Sequence, residues 1–446
     1  MIASDQKRFV LGLGVTGMAC ARYLDRRGLP FEMLDSRPAP AAADAFKQAF
    51  PNVPLHLGAF DAKKLCEATE LWVSPGIAIS EPAIAQAVAA GVKVRGDIDV
   101  FAEHADAPII AITGSNGKST VTTLVGMMAA QAGYKAGVGG NLGTPALDLL
   151  DQGHDLYVLE LSSFQLETTH RLNAACAVLL NISEDHMDRY ESKLEYLRAK
   201  QRIFRGAKVA VVNNEDALSQ PLPTEGMKLV SYGLDGPDLN KFSIMQSNGE
   251  DVLVRGFEEL IAVNEIALKG RHNLSNALAA LAIGHSIGFP VAAMRQALKE
   301  FAGLPHRCEW VRTHHGVHYI NDSKGTNVGA ACVAIQSFGE SAESRQLVLI
   351  AGGDAKGADL SPLADPMKQY GKHAILLGKD AALLEDALAP VVPCSRVETL
   401  EEAVKQASRL VQSGDVVLLS PACASIDMFR NYEERGAVFV KEVLAL

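Results

Sequence analysis

Short apolar runs recur throughout the chain, and most of them end on Gly, Asp or Asn. The clearest are RFVLGLG (8–14), FEMLD (31–35), LYVLEL (156–161), CAVLLNIS (176–183), KVAVVNN (208–214), QLVLIAGG (346–353), HAILLG (373–378) and DVVLLSP (415–421). Ala- and Leu-rich stretches of helical texture lie between them, including 274–288 and 292–301. This alternation predicts an α/β protein whose parallel sheets are flanked by helices. Ligands are then expected at the carboxyl ends of the strands. Between 229 and 266 the texture changes. SYGLDG, KFSIMQSNGEDVLVRG and IALKG read as small antiparallel pieces, with NGED as a hairpin turn.

Two seams divide the pattern, one after VKVRGDID near Gly96 and one around FAGLPHR (301–307). At roughly 150 residues per domain, a chain of 446 residues accommodates about three domains. The seams give 1–96, 97–303 and 304–446.

Composition narrows the class. Hydrophobic residues make up 48% and charged residues 21%, which suits a soluble globular chain with sizeable cores. A net charge of −10 argues against a broad nucleic-acid or acidic-membrane surface, although local basic clefts remain compatible with an anionic substrate. Seven scattered cysteines without a C-x-x-C pair read as reduced thiols of a cytoplasmic protein. Asp5 and the early glycines break up any signal-peptide core, and no run approaches the roughly 18 apolar residues of a membrane span.

Candidate chemistry concentrates in two glycine loops. Gly12, Gly14 and Gly17 form G-x-G-x-x-G between a strand and a helix, and Asp35 closes the next strand eighteen residues on. Such a turn places a pyrophosphate at a helix N-terminus. By itself it is compatible with a nicotinamide dinucleotide, with another phosphorylated nucleotide, or with an empty tight turn. The second loop, TGSNGKST (113–120), follows another apolar run. Gly114 and Gly117 admit backbone amides to a phosphate, Lys118 supplies a cation, and the Ser119 hydroxyl suits Mg²⁺. Only Ser115 and Asn116 separate its glycines, so this loop is shorter than the usual phosphate loop. Glu160 leaves the next strand, where a carboxylate is well placed for Mg²⁺. Glu184, Asp185, His186 and Asp188 crowd a third strand end, and Lys200 sits on the helical stretch EYLRAKQRIF.

Taken together these residues resemble the Mur ligases, ATP-dependent amino-acid ligases of peptidoglycan precursor synthesis, whose phosphate loop has the short form G-x-x-G-K-[ST]. GNLGTP (140–145), ELSSFQLE (160–167), NISEDHMDRY (181–190), YLRAKQRIF (196–204), GRHNLSNALAA (270–280), LPHRCE (304–309), NDSKGTN (321–327), GGDAKGADL (352–360) and LSPACASIDMF (419–429) look like family blocks, so the resemblance covers essentially the whole chain. It implies Rossmann-like first and third domains around a central ATPase-type domain, and a monomer of the bacterial cytoplasm with no nucleic-acid partner. It also implies why there are two loops, one for a UDP-linked acceptor and one for ATP.

The site residues that the resemblance implies fall into four groups. Val15, Thr16, Asp35, Ser36 and Arg37 would meet the uridine diphosphate of UDP-N-acetylmuramoyl-L-alanine, and Asn141, Ser162, Gln165 and His186 its sugar-peptide end. ATP would meet 114–120, Asn276, Arg307, Asp322 and Lys324, with Thr120 closing the loop. D-Glutamate, with two carboxylates, would meet Thr326, Lys356, Ser425 and the main chain near Tyr432. One Mg²⁺ would sit on Ser119 and Glu160, and a second on His186 and Lys200. An ammonium repels a divalent cation, so the family's answer at the matching lysine, a CO₂-derived carbamate, is expected on Lys200.

Overall fold

The structure is a computed structural model that describes residues 6–183, 185–187, 189–268, 270–342 and 346–446; Glu184 and Asp188 lie outside the described residues. Three sheets follow one another along the chain. The first is wholly parallel, with strands Arg8–Leu11, Glu32–Asp35, Leu55–Leu57, Glu70–Val73 and Lys93–Arg95 in the order 3-2-1-4-5. The strand order reverses beside Arg8–Leu11, so the GLGVTG turn opens into the crevice where such sheets bind ligands.

The second sheet has nine strands. At its centre, Ile109–Thr113 lies between Leu156–Glu160 and Cys176–Leu179, all parallel. Every position of these three strands is buried, as expected when helices cover both faces. The short phosphate loop leaves Ile109–Thr113 and enters the helix Lys118–Gln131. Toward the sheet edge, Lys241–Ser247 and Glu250–Arg255 form an antiparallel hairpin around Asn248 and Gly249, at φ 51° and 85°. Two successive positive φ values are what a type I′ turn requires, and Asn-Gly supplies them at least cost.

The antiparallel reading of 229–266 holds only in part. Lys228–Tyr232 pairs parallel with both Val209–Asn213 and Lys241–Ser247. The outermost antiparallel strand is Glu258–Ala262 and not the IALKG segment. Polarity and turn residues mark strands here, but the direction of pairing depends on chain reversals outside the strand itself.

The third sheet places Leu347–Gly352 between Val416–Leu419 and Gly371–Leu377, with Val317–Asn321 beyond. Its two faces are packed by separate apolar clusters. By contrast, one cluster runs from Val10 and Tyr23 of the first unit through Phe101 to Tyr157 and Leu159 of the second. Arg22 also pairs with Asp148 across that seam. The first two units therefore share a core, whereas the buried apolar clusters of the third contain no residue of the other two.

Candidate active site

The first glycine loop is built by steric exclusion. A Cβ on Gly17 would lie 1.8 Å from the Gly12 carbonyl oxygen, so only glycine lets the helix Val15–Arg26 pack against the turn. Asp35 then locks the loop. Its carboxylate accepts the Leu13 N–H at 2.7 Å and the Arg37 N–H at 2.9 Å, while the Arg37 side chain chelates both oxygens. The Arg37 guanidinium and these amides hold the Asp35 carboxyl at about 2. Around this anchor Val15 is 72% exposed, Ser36 and Arg37 are exposed, and Thr16 is half-buried.

The phosphate loop is laced to the neighbouring strand end. Asn181 accepts the Ser115 N–H on its carbonyl and the Asn116 N–H on its side chain, at 2.9 and 2.8 Å. The Ser115 hydroxyl donates to the Ser183 carbonyl at 3.0 Å. Gly117 sits at φ 82°, and a Cβ there would come 2.4 Å from Asn276 Oδ1, so the loop and the helix Arg271–Ile287 are in direct contact. Lys118 Nζ donates to the carbonyls of Gly114 and Ser115, at 2.8 and 2.9 Å. Burial pushes its ammonium below the ordinary lysine range. Thr120 is buried in the first turn of the following helix.

Glu160 is 2% exposed. It accepts the Ser119 hydroxyl on one oxygen and Asn141 Nδ2, at 2.7 Å, on the other. Among the described residues no Lys, Arg or His forms an ion pair with it. A buried carboxylate without a cation is costly, and hard anionic oxygen beside a hydroxyl suits Mg²⁺. The residues present therefore fit that ion.

Lys200, 1% exposed, points into the same centre from the helix Lys193–Gln201. Its Nζ donates to the Gly114 carbonyl at 2.9 Å and the Thr113 hydroxyl at 3.3 Å and lies over the Tyr196 ring. Burial, then the Lys118 charge, depress its pKa well below the usual lysine value. His186 adopts φ 58° and packs 4.7 Å from the Phe164 ring, with its Nε2 3.7 Å from Asp185.

Ser162 and Gln165 make a reciprocal capping box at the helix Ser163–Glu167, and Gln165 Nε2 also donates to Asp97 at 3.2 Å. Gln165 is 3% exposed, so it holds the wall of the cleft from within.

The third unit contributes from above. Arg307 Nη2 donates to Ser119 Oγ at 2.7 Å. Lys324 Nζ lies 3.8 Å from the Tyr432 ring centroid, and burial lowers its pKa to about 8. Asp322 accepts Ser420 Oγ at 2.7 Å and the Cys308 N–H at 3.2 Å, and burial raises its carboxyl to about 6. Asn116, Gly117, Asn276, Arg307, Asp322 and Lys324 line a single cavity of about 90 Å³.

Of the amino-acid candidates, Ser425 is buried in the ACAS loop, while Lys356, at φ 51°, is exposed in GGDAK. The two loops are joined by paired bonds between Asp354 and Ala424. Thr326 lies beside Lys324 in the loop after Val317–Asn321.

Two residues outside the sequence-based set organise these groups. Asn181 splints the phosphate loop. Arg435, 3% exposed, donates to the carbonyls of Gly352, Ser323 and Cys423 and to the Ser323 hydroxyl, tying the three third-sheet loops to one guanidinium. A signal for it existed. Arg435 falls on the same helical face as Phe439 and Val443, an arginine in a core-facing row.

Comparison with known proteins gives matches in all three units. Residues 6–96 match the MurD-like N-terminal domain of Mur ligases, 112–284 the Mur ligase middle domain, and 306–423 the Mur ligase glutamate ligase domain. The UDP-N-acetylmuramoylalanine–D-glutamate ligase of Pseudomonas savastanoi pv. phaseolicola is 55% identical over 446 residues, covering 100% of this chain and 99% of that protein. The ligase of the same name from Marinobacter nauticus is 52% identical over 439 residues, 98% of each chain. Among solved structures, a pseudomurein peptide ligase type C from Methanothermus fervidus superposes with a TM-score of 0.62 at 18% identity over 99% of this chain and 100% of that one. The UDP-N-acetylmuramate-alanine ligase of Thermotoga maritima gives 0.60 at 20% identity over 99% of each. These two likenesses speak for the fold.

Proposed function

The chain belongs to the Mur ligase family, and from that premise we propose that it joins D-glutamate to UDP-N-acetylmuramoyl-L-alanine with cleavage of ATP to ADP and phosphate. The observation that carries the reading is the end-to-end identity of more than half with ligases of that name, on a chain that holds two nucleotide-type loops in one connected core. The first loop, with Val15, Thr16, Ser36 and Arg37 around Asp35, takes the uridine diphosphate. The acceptor's sugar and peptide then run past Asn141, Ser162 and Gln165 toward His186. The second loop takes ATP, with Asn276 against the adenine and Arg307, Asp322 and Lys324 on phosphate and ribose.

Amide formation from a carboxylate and an amine is uphill in water, so the carboxylate must be activated. The γ-phosphoryl group passes to the acceptor carboxylate, giving an acyl phosphate and ADP. The D-glutamate amine attacks that carbonyl, phosphate leaves, and the amine loses a proton. Positioned donors and cations carry such a transfer. Lys118 must exchange its two loop carbonyls for the β- and γ-phosphates, and Arg307 is within reach of the same oxygens through its place on Ser119. Ser119 and Glu160 would hold one Mg²⁺, and His186 with Lys200 a second, which together neutralise the charge of the transferring group.

Lys200 suits its part because burial favours the neutral amine. A neutral amine adds to CO₂, forming the N–C bond and releasing a proton, and the resulting carbamate offers oxygen to a cation. Lys356, Thr326, Ser425 and the main chain at Tyr432 would receive the two D-glutamate carboxylates, positioned by Arg435. Closure of the third unit would exclude water from the acyl phosphate. No helix among the described residues is long and apolar enough to cross a membrane.

The test is phosphate release with ATP, Mg²⁺ and UDP-N-acetylmuramoyl-L-alanine, offering D-glutamate, L-glutamate and D-aspartate separately. Release that requires D-glutamate supports both the chemistry and the stereochemistry. Release with another amino acid, or with none, would sink the assignment.

A further inference from the structure

A cavity of about 1060 Å³ lies away from both nucleotide loops, behind the helix Lys193–Gln201. Ile79 and Ser80 of the first unit close one side of it, and the 217–224 segment closes another. A second cavity of about 850 Å³ continues along the same seam and shares Ile79, Glu167 and Arg202 with it. The walls of the first cavity are largely apolar, with Phe204, Leu218 and Leu222 among them. Leu218 and Leu222 are 44% and 86% exposed, so they present apolar surface to whatever enters.

The charged groups are unbalanced. Arg198, Arg202 and Arg205 line this cavity at i, i+4 and i+7, so they form one row across the end of the helix and the single turn Arg202–Phe204. Lys200 projects from the opposite side of the same helix, because two residues of α-helix turn the chain by about 200°. The arginine row is therefore outside the phosphate chemistry. Among the described residues none of the three forms an ion pair. Arg202 donates one nitrogen to the Glu167 carbonyl, but its buried Nε has no partner. Of the two acids that line the cavity, Glu167 is already paired with Arg189, and Glu195 accepts the Glu191 N–H. An incoming anion would supply the buried Arg202 Nε with the partner it lacks.

We propose that this seam cavity binds a small organic anion with an apolar body, its carboxylate or phosphate head on Arg198, Arg202 and Arg205 and its body against Phe204, Leu218 and Leu222. The proposal does not depend on the ligase assignment. The arginines supply forked donors suited to such heads, and the cavity volume is in the range of small-molecule sites.

The probe is 8-anilinonaphthalene-1-sulfonate, titrated into the full chain with ATP and UMP present to fill the nucleotide loops. The expected result is a saturable rise in fluorescence that octanoate reverses. The affinity should fall about tenfold or more in R198E/R205E. Leu222→Asp, a change on an exposed side chain that leaves the core intact, should weaken it as well. Thermal unfolding midpoints equal to that of the parent protein certify the variants. Absence of saturable binding, equal affinity in the parent and both variants, or an affinity that falls as the UMP or ATP concentration is raised would overturn the proposal.

Discussion

Arg307 of the third unit donates to the Ser119 hydroxyl of the phosphate loop at 2.7 Å, on the oxygen that also serves Glu160. The second and third units thus meet at the atom proposed for Mg²⁺, and the cavity they line together is about 90 Å³. Ligand pockets for molecules of nucleotide size run to several hundred Å³. ATP must therefore enter a more open arrangement, and Arg307 must follow it back. Arg307→Ala is expected to lower kcat for phosphate release by about 10²–10³-fold. Arg307→Lys should recover only part of this, since an ammonium lacks the fork. Small-angle scattering should show contraction when ATP and the UDP-linked acceptor are added together. Identical curves would count against the opening.

Gly117 predicts a contrast between the two loops. At φ 82° with Asn276 Oδ1 in the path of a Cβ, Gly117→Ala carries both backbone strain and a clash. Strain of this kind costs about 1–3 kcal/mol, and the loop can escape only by moving off Asn276. The KM for ATP should rise by about tenfold or more. Gly14, at φ −109° with nothing within 4 Å of a Cβ, should accept Ala with little change in stability. Thermal melts and ATP titrations of the two variants side by side would decide it.

Lys200 is buried, deprived of any carboxylate partner among the described residues, and bonded only to a carbonyl and a hydroxyl. Native mass spectrometry in bicarbonate buffer should show a mass increment of one CO₂ that disappears on acidification and is absent from Lys200→Ala. An active, Mg²⁺-loaded protein of unmodified mass would refute the carbamate.

The parallel strands were legible because burial on both faces leaves continuous apolar runs such as IIAIT and LYVLE. The Asn248–Gly249 hairpin was legible because few residue pairs tolerate two positive φ values. Pairing direction at Lys228–Tyr232 was not, since its partner strands are chosen by distant connections. The polar strand ends also pointed to Lys118 and Glu160, whereas Lys200 lies on a helix and was expected from the family resemblance. Asn181 and Arg435 were harder to see because they act on main-chain carbonyls and amides, which every residue carries. Gln165, expected beside the acceptor from the family resemblance, also takes part in a helix cap, which the resemblance did not reveal.

Asp97 offers a test in which charge alone is varied. It is buried at the start of the helix Asp97–His104, where one oxygen accepts Gln165 Nε2 at 3.2 Å and the other has no partner. Burial raises its carboxyl from 3.8 to about 6. The folded chain therefore binds this proton more tightly than the unfolded chain does. The resulting stability is complete below pH 3.8 and is lost as pH rises through about 6. At pH 8 the ionised group costs on the order of 3 kcal/mol. Asp97→Asn keeps an oxygen to accept from Gln165 and removes the charge. Its thermal midpoint should exceed that of the parent protein by several degrees at pH 8. The gap should close as pH falls toward 4, where the parent carboxyl is itself neutral. A gap independent of pH would show that the buried charge is not what limits stability at this joint between the first and second sheets.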